Sequence, residues 1–206
     1  MDATDYLSLE VLRSRLLPMP PPLPLAPRRS DFDLNPGTRP AAKRVLTPAA
    51  VLIPIVARSE PAVLFTKRAE HLTRHPGQVS FPGGMADSGD ASLTATALRE
   101  LEEETGITPD YVSVAGYLDP YETITGFAVL PVVGLLSEGF TVRADAGEVD
   151  GVFEVPLALL LHPASLEEQH REFRGQDRRF YAFQHGPHYI WGATAAMLVN
   201  LRERLA

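Results

Sequence analysis

Beyond residue 45 the chain alternates short apolar runs with stretches that carry helical spacing. The runs at residues 51–56, 62–66, 112–118, 127–136 and 152–155 are rich in Val, Ile, Leu and Phe and are flanked by Gly, Pro, Asp or Ser, which predicts β-strands. Residues 92–105, 193–205 and a short segment around 156–161 place apolar side chains three and four apart and predict helices. Residues 171–183 read as a hairpin turning at Gly175-Gln176-Asp177. Strands interleaved with few helices predict an α/β fold in which a mixed sheet is covered on both faces.

Before residue 40 the pattern changes. Residues 6–17 have helical spacing in Leu7, Val11 and Leu16, after which Pro18, Pro20, Pro21, Pro22, Pro24 and Pro27 forbid a helix and favour an extended segment. Apolar residues interleaved with these prolines predict a strap packed on the domain; a ligand for an SH3-type module is the alternative. The chain thus divides into an N-terminal helix and Pro-rich extension, residues 1–40, and a main domain, residues 41–206.

Within helix 92–105, Thr94, Ala97, Leu98 and Leu101 form an apolar stripe, and Glu100, Glu103 and Glu104 fall beside it within an arc of roughly 100°. Glu102 points elsewhere. Carboxylates at i, i+3 and i+4 repel, so the cluster destabilises its helix unless a cation occupies it. Hard, oxygen-seeking ions suit such a set, above all Mg²⁺ or Mn²⁺; Mg²⁺ takes one or two carboxylates, keeps waters and binds substrate phosphates with its remaining positions. A solvated acidic face is the competing reading of any glutamate run.

The order of the residues favours the metal. Arg99-Glu100-Leu101-Glu102-Glu103-Glu104-Thr105-Gly106-Ile107 resembles the core of the Nudix box: Arg-Glu, an apolar residue, any residue, Glu-Glu, any residue, Gly, an apolar residue. Every fixed position is filled. Upstream, the box usually carries a Glu eight residues before the Arg and a Gly six before that. This chain has Ala91 and Met85 there, with Asp90 and Gly84 each one residue earlier, so Asp90 stands in for the Glu. Leu64-Phe65-Thr66-Lys67-Arg68-Ala69, then Gly77, then Phe81-Pro82-Gly83-Gly84 resembles the signature that precedes the box in the coenzyme A diphosphatase branch of Nudix hydrolases. One position departs, with Thr73 where that branch has an Arg and Arg74 directly after. The similarity continues through residues 123–133 and 189–195 and covers most of residues 41–206.

This resemblance implies a Nudix fold, an α/β/α sandwich around a mixed β-sheet. It implies metal-dependent hydrolysis of the diphosphate of coenzyme A and its thioesters to 3′,5′-ADP and 4′-phosphopantetheine. Another nucleoside diphosphate derivative, such as an ADP-sugar or a dinucleotide, keeps the chemistry and changes the pocket. A non-catalytic nucleotide-sensing module is a third reading, against which intact metal ligands count. Glu100 and Glu104 are the expected primary ligands of Mg²⁺ or Mn²⁺, with Glu103 a further ligand or a catalytic, water-positioning group. Arg99 can hold Glu103 at i+4, Gly106 supplies the helix-ending position of positive φ, and a carbonyl of Gly83 or Gly84 can complete the metal shell. The general base is either a glutamate of the box or Glu148, whose bland reading is a solvated loop carboxylate. Lys67, Arg68 and Arg74 are the candidate phosphate-binding cations, with surface solvation as the alternative.

Composition narrows the classes further. A chain of 206 residues with 45% hydrophobic content can bury one substantial core, and a net charge of -7 argues against non-specific nucleic-acid binding. With no Cys, disulfides, thiolate metal sites and thiol catalysis are excluded. No stretch approaches the roughly 20 apolar residues of a membrane helix, since the best, residues 49–57, is interrupted by Pro54. The expected partner is a small-molecule substrate, coenzyme A or a related nucleoside diphosphate, without nucleic acid or membrane. Without a basic-then-apolar signal pattern the expected location is cytoplasmic; the oligomeric state is left open. His71 and His75 have the spacing of a helical zinc pair, but Pro76 and Gly77 follow and no third ligand is evident, so they read as loop residues near substrate. Tyr189 and Trp191 can stack on an adenine, with core packing the expected alternative.

Overall fold

The apolar runs become the middle of a mixed sheet, and the segments between them supply its edges. The computed structural model describes residues 9–42, 44–73, 75–173 and 175–206. In chain order these form α1 (Leu9–Arg15), β1 (Arg29–Ser30), β2 (Thr47–Val56), β3 (Ala62–Arg68), β4 (Val79–Ser80), β5 (Gly83–Met85), α2 (Leu93–Thr105), β6 (Val112–Tyr117), β7 (Tyr121–Glu122) and β8 (Phe127–Leu136). β9 (Val149–Pro156), α3 (Leu157–Leu161), β10 (Glu167–Phe173), β11 (Gln176–His185), β12 (His188–Trp191) and α4 (Ala193–Leu205) follow. Nine strands make one sheet, ordered β1-β7-β8-β2-β3-β4, with β5 on β2, β6 on β8 and β9 on β3. β2 and β8 run parallel, most other pairs antiparallel, and β10, β11 and β12 form a second antiparallel sheet.

Alternation along β2 and β3 feeds two cores. Leu52, Val56 and Leu64 pack with Leu93, Ala97 and Leu101 of α2 on one face. Ile53, Ile55, Val63 and Phe65 pack with Leu198 and Leu201 of α4, with Leu12 of α1 and with Leu16 just after it on the other. Both faces of the sheet are therefore covered, which gives the expected α/β/α arrangement.

Pro54 lies inside β2 at no cost in ladder bonds. The Leu52 N–H donates to the Pro82 carbonyl at 2.9 Å, and N–H groups two residues apart on a strand point the same way. Pro54 thus faces the split between β5, which pairs with Ala49, Ala50 and Val51, and β3, which pairs with Ile55 and Val56. A residue without an N–H belongs there. Residues 81–84 pass along the same split and carry Gly83 and Gly84 beside α2.

Several expectations change in detail. The stripe that α2 buries is Leu93, Thr96, Ala97, Leu101, Glu104 and Thr105; Thr94 and Leu98 are only half-buried, so the helix is rotated and Glu104 lies inside the stripe. In the extension, Leu12 of α1 and Leu16 just after it are buried while Val11 is exposed, and Tyr6 and Leu7 lie outside the described residues. The proline segment behaves as a packed strap: Leu25 and Phe32 are buried, Leu17 bridges to Tyr117, and β1 pairs with β7. The β10–β11 turn differs from the expected one, because Gln176 and Asp177 pair with Phe173 and Glu172 and so belong to the ladder, while Gly175, at φ 74°, lies in the turn. Tyr189 and Trp191 are not core residues, being 38% and 37% exposed on either side of the fully buried Ile190. Among the described residues no helix is long and apolar enough to cross a membrane.

Candidate active site

α2 is set by two local signals. The Ser92 hydroxyl accepts the Ala95 N–H at its start, and Gly106, at φ 71°, ends it while donating its N–H to the Glu102 carbonyl. Between these caps, Glu100 and Glu104 are one turn apart and face the split strands. Gly84 is required there by close approach: a Cβ on it would lie 2.3 Å from a carboxylate oxygen of Glu100. A Cβ on Gly83 would meet the Ala50 carbonyl at 2.5 Å.

Glu104 is 3% exposed. The hydroxyl of Thr66, itself fully buried on β3, donates to its Oε2 at 2.9 Å, and the Gly83 N–H adds a second donor. Burial, and next to it the charge of Glu100, pushes the Glu104 carboxyl up to about 7 against the pull of these donors and of Arg68. Glu100 is also raised, by burial first; Arg99 opposes this, while Glu103 and Glu148 add to it.

Arg99 organises the acidic face. Its guanidinium forks onto Asp90, Nε to Oδ1 at 3.0 Å and Nη2 to Oδ2 at 3.1 Å, and reaches Glu100 at 2.9 Å and Glu103 at 2.7 Å. Hydrogen bonds from Arg99, then from the Asp87 N–H and the Thr96 hydroxyl, hold Asp90 well below the usual carboxylate range. Asp90 thus clamps the arginine. Glu103 lies at the exposed edge of the same face, its side chain 55% exposed and held by Arg99 at the i+4 spacing expected of that pair.

The strand end adds the cations. β3 carries a bulge between Lys67 and Arg68 where it pairs with β9. Thr66 and Arg68 lie toward the acidic pair, Arg68 acting on Glu104 through its charge. Lys67 instead pairs with Glu70 at 2.9 Å. Among the described residues Arg68 has no hydrogen-bonded acidic partner. Glu148 is exposed in the turn before β9, its backbone tied to Ala69, and its charge is felt at Glu100. His71 and His75 sit on an exposed non-helical loop, and Arg74 lies outside the described residues. Sequence reading did not assign a role to Thr66; its signal was a hydroxyl in an otherwise apolar strand run.

The residues suit a divalent cation. Among the described residues no three acidic or His side chains stand ready to cage one. A buried carboxylate with a raised pKa beside a second one, approached by the charge of a third, is nevertheless the donor set of an ion that takes one or two carboxylates and fills its shell with water and phosphate.

Comparison with known proteins agrees. The model of the NUDIX domain matches residues 46–176. Nudix hydrolases named NudL from Enterobacter sp. (strain 638) and from Escherichia coli O1:K1, both described as uncharacterized, are each 45% identical over 153 residues, which is 74% of this chain and 80% of theirs. The NUDIX domain of Shewanella oneidensis NrtR, solved with ADP ribose, superposes with a TM-score of 0.50 at 19% identity over 85% of this chain and 97% of that one, a likeness of fold. A family model spanning most of the sheet with α2, and relatives this close over three quarters of the chain, make this protein a member of the Nudix family and a Nudix hydrolase.

Proposed function

We propose that this Nudix hydrolase cleaves the diphosphate of coenzyme A and its thioesters, releasing 3′,5′-ADP and the (acyl-)4′-phosphopantetheine, with Mg²⁺ or Mn²⁺ as cofactor. The observation that carries the chemistry is the pair Glu100 and Glu104, held between Gly84, Thr66 and Arg99 with Glu148 in electrostatic reach. The substrate rests on the signature Leu64 to Ala69, Gly77 and Phe81 to Gly84, which β3, the loop after it and β5 bring to one strand end. Residues 41–206 are the hydrolase domain on this reading, and residues 1–40 its packed extension.

A diphosphate resists water because its charge repels nucleophiles and its leaving group is poor. Bound by Glu100 and Glu104, with Glu103 and a carbonyl of Gly83 or Gly84 at the margin, a divalent ion supplies neutralisation of that charge and a more acidic water. Arg99 keeps Glu100 and Glu103 oriented. Glu148, exposed and free of side-chain hydrogen bonds among the described residues, accepts the proton of the attacking water. Arg68 holds phosphate oxygens of the diphosphate, Lys67 on the other side of the strand is a cation for a further phosphate of the substrate, and Arg74 is a third candidate.

A product assay on coenzyme A, dephospho-coenzyme A, ADP-ribose and a diadenosine compound tests this reading. Coenzyme A should turn over fastest and yield 3′,5′-ADP. Loss of the 3′-phosphate should cost about tenfold or more, the scale of one charge-assisted hydrogen bond. Faster cleavage of ADP-ribose than of coenzyme A would overturn the substrate while leaving the Nudix chemistry intact.

A further inference from the structure

Successive residues of β3 point to opposite faces, so the strand end that offers Thr66 to Glu104 offers Lys67 to the other side. There a cleft of about 610 Å³ opens between the loop after β3 and β12, lined among others by Lys67, His75, Gln78, His188, Tyr189 and Trp191. That volume lies in the range of small-molecule sites.

The far wall is built and anchored. β12 alternates the buried Ile190 with the outward Tyr189 and Trp191. The Tyr189 hydroxyl donates to Gln169 Oε1 at 2.7 Å, and the indole of Trp191 meets Phe180 edge to face at 5.6 Å. His188 stacks on Phe153 with ring centroids 3.5 Å apart and planes 7° off parallel. Two large aromatic rings are thus held in place yet more than a third exposed, and apolar surface gathered in a cleft is surface suited to a ligand. The near wall holds backbone strain: His75 has φ 54°, in a region that non-glycine residues rarely adopt, immediately before Pro76 and Gly77. The only cation whose ammonium lines the cleft, among the described residues, is Lys67, paired there with the exposed Glu70. The β12 wall lies beyond residues 46–176, so it is not part of the matched family domain.

Exposed rings beside an ammonium recognise a flat π-system that carries negative charge. A neutral, flexible pantetheine arm needs neither. We propose that this cleft binds the base-and-phosphate end of a nucleotide, the base stacked on Trp191 and Tyr189 and the phosphate taking Lys67 from Glu70. The inference rests on the reading of the enzyme as a nucleoside diphosphate hydrolase and adds where the nucleotide lies.

Trp191 is the only tryptophan of the chain, so its emission reports the cleft directly. Adenosine 3′,5′-bisphosphate titrated into the full-length protein in EDTA should quench that emission saturably. Adenosine should bind about tenfold more weakly, and Lys67→Met should erase the difference. Tyr189→Ala, which keeps the probe, should weaken the bisphosphate severalfold. Trp191→Ala should raise KM for the hydrolysed substrate about tenfold, with the loss falling on KM rather than kcat. Unchanged emission with the bisphosphate, or an unchanged KM in Trp191→Ala, overturns the inference whatever the substrate. Quenching by the bisphosphate in a protein that does not hydrolyse coenzyme A supports the cleft and overturns the coenzyme A reading instead.

Discussion

The two sides of β3 are built by different means. On the side of Thr66, the carboxylates, the clamp of Arg99 on Asp90 and the glycines all come from residues 83–107, and nearly every polar group has a protein partner. On the side of Lys67, the wall comes from β12, far along the chain, and its rings, though anchored by Gln169 and Phe180, stay open to solvent. The first side shows how a contiguous segment can preorganise charge: helix period and two caps set the spacing of the carboxylates within one short stretch of chain. The second shows how recognition surface is assembled by topology, where exposure rather than satisfaction is the mark of use.

The sharpest way to break this contrast is at the acidic pair. Glu104→Gln or Glu100→Gln should lower turnover by about a hundredfold or more, the scale of losing a key electrostatic stabiliser, while Glu102→Gln, on the exposed face, should leave it near wild type. Steady-state kinetics of the three proteins decides it; two active ligand variants would move the chemistry away from α2. Next in size, Glu148→Gln should reduce kcat by roughly tenfold to a hundredfold while Mg²⁺ still raises the melting temperature as in the wild type. Loss of that metal-induced shift would make Glu148 a ligand instead of a base.

A smaller effect sharpens the electrostatics. The Glu104 carboxyl, ordinarily near 4.5, is lifted to about 7 in the fold. Without metal the folded state therefore keeps a proton that the unfolded chain has lost. The stability this provides is fully present below about pH 4.5 and is lost as pH rises through about 7. Melting curves in EDTA should show the wild type losing stability between about pH 5 and pH 8 relative to Glu104→Gln, and parallel curves would show that the carboxylate is not strained by burial. The smallest effect is expected on the other side of β3: Trp191→Ala should change stability by less than about 1 kcal/mol, against about 2–5 kcal/mol for Leu101→Ala in the core beneath α2. Equal losses would mean that the aromatic wall is structural.

Where local chemistry dominates, the residues announced their roles. The end of α2 at Gly106, the pairing of Arg99 with Glu103 and the runs that became β2, β3 and β8 all follow from periodicity and neighbours within one turn. Two-residue strands such as β4 and β7 carry no period to read, and the inward rotation of α2 depends on Thr66 and Gly83 being present to satisfy Glu104. What lets Pro54 sit within the strand read over residues 51–56 is not local, because the split beside β2 that accommodates it is made by β3 and β5, not by β2 itself.

The sequence by itself determined the Nudix box, the strands of the sheet's centre and the side chains able to hold a divalent ion, because helix period, capping and strand alternation act within a few residues. It took the tertiary structure to show that Asp90 clamps Arg99, that Glu104 is buried under Thr66, that Lys67 and Arg68 look to opposite sides, and that Tyr189 and Trp191 stand out from the core. Those outcomes depend on which distant strands share a face, a choice made by packing two cores against one sheet and invisible to any local pattern.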